Sequence, residues 1–561
     1  MKADVKSTRC GQQQSGWRGF FLLVALIIGT SGSAMAQTQT YTWSGYAGAG
    51  YNGNWSNTAN WTATVSPVSS STTSFYINAS TNNRVMNQDV ATPFQLSTLV
   101  ISSSPAGQFT MNGGALQIYG TAGSTTSSFA ISSGTGPSSV GSVQTINNDI
   151  QMMADAMMQA NYASLTLGGN IDLNGKNIRF HAANLSGAAN PTVVRLNGVI
   201  SDSAGSTANN VYFTGPNSGS PNGAAIYVKG NNSYTGTTTI YNVAVYAGNN
   251  NAFGSGTSDI AMGVMGGGTT NPTLLTDGGV NISRQIRVMS AAAGNTSNAT
   301  IGGSTADNST FSGNVILNRQ GSTNTMTAQS LIVTATNSGR VDFTGNVQRE
   351  AAALTTASDT LTKTGAGIVA LNGAANNYLG TTSVNEGALL VNGTLASGGG
   401  AVSVAAGATL GGIGTINRAV TVADNGILSA GEMSNSLISQ AGVLTLGGDL
   451  SLNNASQLNF NLGTLKDLIS ISGNLTLDGV LNVSQDAGFG VGTYRLFDYA
   501  GSLLDNGLTV NLSGFTGTID TSVANQINLI VTVPEPSTMV LVVGGSLLLV
   551  QLGVRRRRAL C

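Results

Sequence analysis

Residues 361–393 read LTKTGAGIVALNGAANNYLGTTSVNEGALLVNG. Short apolar runs are separated by Gly, Asn and Thr, and none is long enough for a helix. A second segment nearly repeats the letters. Residues 232–240, NSYTGTTTI, align with 376–384, NNYLGTTSV, and the match continues from 244–247, AVYA, to 388–391, ALLV. Self-similarity of this kind predicts a solenoid, in which each unit buries its apolar face only against its neighbours. Tyr234, Gly236, Tyr378 and Gly380 occupy the shared positions. Gly387 is expected in a turn that requires positive φ or close backbone approach.

Both segments resemble the autotransporter-associated β-strand repeat, whose core reads N-x-Y-x-G-x-T-x-(V/I). The same grammar runs through most of the chain and is clearest over 443–483. There the pieces LTL, LSL, LNFNL, ISI, LTL and LNV each alternate apolar and polar residues, separated by GGD, NN, GN and DG. Period 2 sends one set of side chains inward and the other outward. Strands this short fit the successive faces of a coil, with about 20 residues per turn and a rise of about 4.8 Å. Residues 37–531 would then build a rod on the order of 100 Å long. The stretch 68–225 is strand-turn-strand except at 151–160, QMMADAMMQA, where helix formers and four Met residues break the pattern. These Met residues are expected to fill core. A soft-metal site is the rarer use of such thioethers.

Composition narrows the class. Charged residues make up 8% of the 561, with 75 Gly and 10 Pro, while 41% are hydrophobic. A core is therefore available, and the surface must be Asn, Ser, Thr and Gly. Eight of the 22 Lys and Arg lie in the two termini. Without them, and without Asp4 and Glu535, the body keeps 14 basic and 21 acidic residues, about −7. No basic patch for nucleic acid remains. The two cysteines, Cys10 and Cys561, sit at the ends and cannot staple the body.

Residues 1–36 have the form of a secretory signal peptide: basic Lys2, Lys6, Arg9 and Arg18, an apolar run over 20–28, then Ala34-Met35-Ala36. Cleavage is expected before Gln37, with export through the Sec translocon. Residues 37–67 hold Trp43, Trp55 and Trp61, all the tryptophans of the mature chain. Their spacing resembles the start of exported repeat proteins of this group. They are expected to cap the first coil rather than to stack on sugars. The segment 488–499, GFGVGTYRLFDY, resembles the closing segment of such proteins and is read as the C-terminal cap.

Residues 532–561 carry three elements in order. Pro534-Glu535-Pro536 comes first, then an uncharged apolar span over 537–554, then Arg555, Arg556, Arg557 and Arg558. Eighteen residues make a helix of about 27 Å, enough to cross a bilayer. The arginines place its end in the cytoplasm. The order resembles the PEP-CTERM sorting signal. That resemblance implies an exosortase-type processing enzyme as partner, transient anchoring in the inner membrane of a Gram-negative bacterium, and a host that makes exopolysaccharide.

Catalytic signatures are missing. Gly48–Gly53 spells G-x-G-x-x-G, but no strand precedes it and no helix follows. His181 is the one histidine, so paired imidazole ligands are unavailable. Beyond the ends the glutamates are Glu350, Glu386 and Glu432, and the aspartates are dispersed. A glycosidase would need two facing carboxylates. Arg284 and Arg287 are read as tips of two outward positions, with contact to an acidic sugar as the other use. The expected protein is all-β, a parallel β-helix or solenoid over 68–531, with an N-terminal signal peptide and one C-terminal transmembrane helix. It is a non-enzymatic surface or matrix protein without cofactor or metal, and exopolysaccharide is its candidate ligand. A carbohydrate-active β-helix enzyme and an autotransporter passenger are the alternatives. The passenger would need a C-terminal barrel, which a span followed by four arginines does not provide.

Overall fold

Through most of the stack, sequential short strands do not pair with one another. They pair in parallel with the strand one coil before and the strand one coil after. The structure is a computed structural model describing residues 39–43, 53–79, 84–103, 108–120, 129–134, 141–183, 192–205, 209–216, 223–263, 270–289, 296–317, 328–350, 358–433 and 439–534. One coil runs Ala156–Ala160, Ser164–Leu167, Ile171–Asp172, and the next runs Ile178–Ala182, Val193–Leu196, Ile200–Ser201. The three strands of the first lie in parallel register under the three of the second. Repetition gives three faces. The first carries 12 strands, from Gln39–Trp43 to Val347–Arg349. The second is a ladder of 17 strands, from Arg84–Gln88 to Leu503–Asp505, on the order of 80 Å at the usual strand spacing. The third is split into a sheet of five, Phe94–Leu96 to Ile200–Ser201, and a sheet of ten, Asn281–Ile282 to Thr509–Asn511. A seven-stranded sheet starting at Thr394–Leu395 takes over the first face. The protein is thus all-β, built of parallel strands in stacked sheets, a β-helix-like architecture.

Alternation explains which atoms go inside. In Leu450–Leu452 and Leu475–Leu477 the leucines are buried and the residue between them is half-buried. In-register stacking puts like above like, so Phe311 lies over Phe343 at 5.1 Å and 14°, and Phe180 over Phe213 at 5.9 Å. One hydrophobic cluster runs from Tyr41 to Val531. Corners are turned by residues at positive φ, among them Asn174, Asn242 and Asn425.

Two expectations are overturned. Residues 151–160 do not break the strand pattern despite their helix formers: Ile150–Met152 and Ala156–Ala160 are strands. Local helix propensity is worth tenths of a kcal/mol per residue, whereas each segment here is hydrogen-bonded on both sides by neighbouring coils. Met152 and Met158 point into the core, both 0% exposed. Nor is the coil length a uniform 20 residues. Leu361 lies under Thr382, Thr382 under Val402 and Val402 under Val420, which are coils of 18 to 21 residues. Asn298 lies under Ser330 and Ser330 under Thr360, coils of 30 to 32. With coils of this length among them, the ladder is shorter than the expected rod.

The first and last described strands are covered in different ways. At the start, Trp43, Trp55 and Trp61 are at most 1% exposed and meet edge to face, Trp43 and Trp61 at 4.9 Å. Trp55 reaches on to Phe75 at 4.7 Å and Phe94 at 5.0 Å. With their faces covered, these rings have none left to stack on a sugar. At the far end, Gly492–Tyr499 pairs antiparallel with Gln526–Thr532, which pairs antiparallel with Thr516–Asp520. Reversing strand direction ends a ladder that would otherwise invite another chain. Truncation of Trp55 to alanine is expected to destabilise the first coils by about 3–5 kcal/mol. Hydrogen exchange should show protection lost over 39–43 and 73–79 and kept over 443–483.

Candidate functional site

The two repeat loops stand where a sheet ends. The five-stranded sheet stops at Ile200–Ser201, and the coil above offers no strand there. Instead Asn232 Oδ1 accepts the Ile200 N–H at 2.7 Å while its Nδ2 donates to the Ala252 carbonyl at 2.6 Å. The 12-stranded sheet stops at Val347–Arg349 in the same way. Asn376 Oδ1 accepts the Val347 N–H at 2.8 Å, and its Nδ2 donates to the carbonyls of Gly373 at 2.9 Å and Thr394 at 3.1 Å. One side-chain amide therefore does the work of a peptide group, joining the coil below to the coil above. Both asparagines are buried, where unmade bonds would cost about 1–3 kcal/mol each.

Two residues on, Tyr234 and Tyr378 fill the core at 0% exposure. Their hydroxyls meet Thr238 Oγ1 at 2.8 Å and Thr382 Oγ1 at 2.6 Å. Burial pushes Tyr234 up to about 12 against the opposing pull of the Thr238 bond and Arg284. Tyr378 is raised for the same reason, against Arg418 and Thr382. Gly236 and Gly380 pass so close to the coil below that an added Cβ would lie 2.4 Å from the Asn209 carbonyl oxygen and 2.1 Å from that of Asp359.

An arginine two coils later finishes each loop. Arg284 donates from Nη2 to the Gly236 carbonyl at 3.3 Å, from Nη1 to Thr238 Oγ1 at 3.2 Å and to the Phe253 carbonyl, and from Nε to the Ser258 carbonyl at 2.9 Å. Arg418 donates from Nη1 to the Gly380 carbonyl at 2.9 Å, from Nη2 to that of Tyr378 and from Nε to that of Ala396 at 3.0 Å. Its guanidinium also lies 4.5 Å from the centre of the Tyr378 ring. Arg284 is therefore no outward tip, which corrects the reading made from its sequence. The partner of Arg287 is also fixed: it bonds Asp259 at 2.5 Å and Glu350. These bonds hold its pKa above the ordinary value although burial opposes them.

A buried lysine ties the next corner. Lys363, 0% exposed, donates from Nζ to the carbonyls of Thr364 at 3.0 Å, Gly365 at 2.7 Å and Glu386 at 3.0 Å. Burial brings it down to about 8, against the pull of Glu386. Gly387 beside it has φ +59°, and an added Cβ would sit 2.4 Å from the Gly367 carbonyl oxygen.

Carboxylates are held in structural roles. Asp172 accepts from Gln151, Asn174 and Ser203, and Asp467 from the N–H groups of Gly442 and Asn461. Arg340 stands between two acids, Asp342 at 2.9 Å and Glu432 at 2.7 Å. Among the described residues no three His, Cys, Asp or Glu side chains are grouped to hold a metal. His181 Nδ1 meets Thr214 Oγ1 at 2.9 Å, and burial followed by the nearby Arg179 brings it down to about 4. Pro534 lies two residues beyond the last strand, after Val533. Glu535, Pro536, Arg555–Arg558, Ala34, Ala36 and Gln37 lie outside the described residues, as does the span 537–554. Among the described residues no helix is long and apolar enough to cross a membrane.

Residues 361–391 match the model of the passenger-associated-transport-repeat, and residues 532–558 match that of the PEP-CTERM protein-sorting motif. The chain carries both. Over 190 residues it is also 37% identical to the adhesin BmaC autotransporter of Brucella suis biovar 1 (strain 1330). That match takes in 32% of this chain and 6% of the adhesin, a small part of the relative's length. The matched repeat includes Lys363, Asn376, Tyr378 and Gly380 but stops short of Arg418.

Two outcomes follow. Arg418→Ala removes the arginine's bonds to the Tyr378, Gly380 and Ala396 carbonyls, and is expected to destabilise the surrounding coils by about 2–4 kcal/mol, with partial recovery in Arg418→Lys. Hydrogen exchange over 368–395 reads this directly. For His181 the folded pKa lies below the unfolded value, so its contribution is complete above about pH 6.5 and is lost as pH falls toward 4. Wild type should therefore lose up to about 3 kcal/mol of local stability across that window relative to His181→Asn, measured by denaturant unfolding at pH 7 and pH 4.5.

Proposed function

We propose that the protein is an exported, non-enzymatic surface adhesin of the passenger type that contacts the exopolysaccharide matrix and is sorted by its tail. The observation that carries the reading is the joining of a transport repeat of passenger proteins to a sorting motif in one chain. The adhesin similarity supports it, and so does the engagement of acids such as Asp172 and Asp467 in bonds to the backbone of neighbouring coils. Residues 1–36 would direct Sec export and be cut before Gln37. The segment 37–67 would cap the β-solenoid of 68–531. The span 537–554 would hold the chain in the inner membrane until an exosortase-type enzyme cuts near Pro534, Glu535 and Pro536, with Arg555–Arg558 left on the cytoplasmic side.

The outward rows suit weak, repeated contact. Amide side chains bond one another from coil to coil, Asn392 to Asn372 at 2.9 Å and Asn511 through Asn482 to Asn459 at 3.1 Å each. Ordered amides and hydroxyls at strand spacing offer each sugar about 0.5–1.5 kcal/mol, and affinity then comes from repetition. Fractionation of cells with and without the exosortase, with intact mass of each form, tests the reading. In competent cells the surface form should end near Pro534–Pro536, and in deficient cells the full chain should stay with the inner membrane. Recovery of surface protein still carrying Cys561 would overturn it.

A further inference from the structure

We infer that the closing sheet holds a discrete site for an anionic saccharide segment, meaning a carboxylate-bearing sugar chain. The inference rests on the matrix reading for its biological setting, but its physical basis is separate. On the outer side of the sheet formed by Val443–Leu446, Leu468–Ile471, Gly492–Tyr499 and Gln526–Thr532 lies a groove of about 740 Å³. A second depression of about 400 Å³ shares Arg495 and Gln526 with it. Two hollows joined through the same side chains make an elongated site, suited to several linked units rather than to one small molecule.

The lining has the chemistry of sugar recognition. Lys466 and Arg495 supply two cations in a chain with 8% charged residues and an acidic body. The Arg495 side chain is 46% exposed, and its ion pair with Asp498, at 3.3 Å, engages Nη1. An exposed pair of this kind is weak enough to yield to a carboxylate held in bidentate fashion. Thr493, Gln526 and the buried amide of Asn528 present a hydroxyl and two amides for sugar hydroxyls. Leu468 adds an apolar patch against which a ring face can lie. Asp520 also lines the groove. It accepts the Ser522 N–H at 3.0 Å, and its bonds to Ser522 hold its pKa low, so it stays charged and orients the ligand by repelling a carboxylate from that wall. The site is assigned to binding.

Protein purified from cells expressing the full chain is titrated calorimetrically with hexagalacturonate, with cellohexaose as its neutral counterpart and with anionic phospholipid vesicles. The site predicts binding to the uronate, no comparable binding to cellohexaose, and weakening as salt is raised to about 0.5 M. Lys466→Gln and Arg495→Gln should each reduce the affinity about tenfold with an unchanged melting temperature, while Lys229→Gln, on another face, should leave it unaltered. Equal binding of the neutral sugar, no binding of the uronate, or binding untouched by both groove variants would overturn the site. Preference for the vesicles would assign the cations to a lipid surface and overturn it too. Because these outcomes are read on purified protein, failure here leaves the sorting experiment standing, and failure there leaves this site standing.

Discussion

A coil that lacks a strand must still satisfy the strand beneath it. That constraint organises the molecule, because almost every backbone bond of a parallel stack runs between coils. A gap in one coil therefore leaves donors exposed in two. The repeat loops meet it with a side chain in place of a peptide group. Asn232 and Asn376 each accept from the last strand of a sheet and donate to the following coil. The tyrosine, glycine and threonine that follow bury the ring, close the approach and satisfy the hydroxyl. The arginine from two coils on supplies the remaining donors. The loops are thus the points where one sheet is spliced to the next, and this explains why the letters recur only where the ladders change.

What the sequence showed tracks what is local. Alternation over 443–483 is a property of adjacent residues, and those strands appear within a residue or so of where period 2 puts them. The tyrosine and glycine of each loop are a fixed distance apart because they sit in one turn. Arg284 and Arg418 were not legible. Arg284 lies 48 residues after Gly236 and Arg418 lies 38 after Gly380, because intervening coils differ in length. No fixed-offset pattern can register a contact whose spacing is set by loop insertions. The misread break in the strand pattern at 151–160 has a related cause, since its strand state is imposed by coils before and after it in the sequence. The groove of the closing sheet joins Lys466 to Asn528 across three strands, and no short window of letters holds both.

The scarcity of charge is part of the same design. In a stack, like residues fall on like at strand spacing, and repeated outward charges of one sign would repel along the whole face. Amides do not, since each carries a donor and an acceptor. Gln95 bonds Gln117 at 3.3 Å, Gln117 bonds Gln151 at 2.8 Å and Gln151 bonds Asp172 at 2.9 Å, with the carboxylate closing the row. Charged side chains survive where an opposite charge or a set of carbonyls is fixed beside them, as for Arg340, Arg287 and Lys363.

The outer side of the matched repeat shows how such a surface deals with apolar residues that have nowhere to go. In Ile368–Leu371 and Ala388–Val391 all four residues are buried. Val369, Leu371, Leu389 and Val391 belong to the main core, while Ile368, Ala370, Ala388 and Leu390 point the other way into a small cluster of their own. What covers that cluster is an insertion: Glu432–Met433, paired antiparallel with Ser439–Gln440, lays Met433 on it. The cover is latched by Arg340, which bonds Glu432 at 2.7 Å and the Met433 carbonyl at 2.5 Å. The unbroken apolar runs IVAL and ALLV were a legible sign of burial on both faces, since a strand with one wet side alternates. The covering segment starts 41 residues after Val391 and 61 after Leu371, and its two short strands carry no pattern that ties them to the runs they shield. A solenoid can therefore gain a second core on its exterior by inserting a few residues at one corner, without disturbing the registers on which the stack depends.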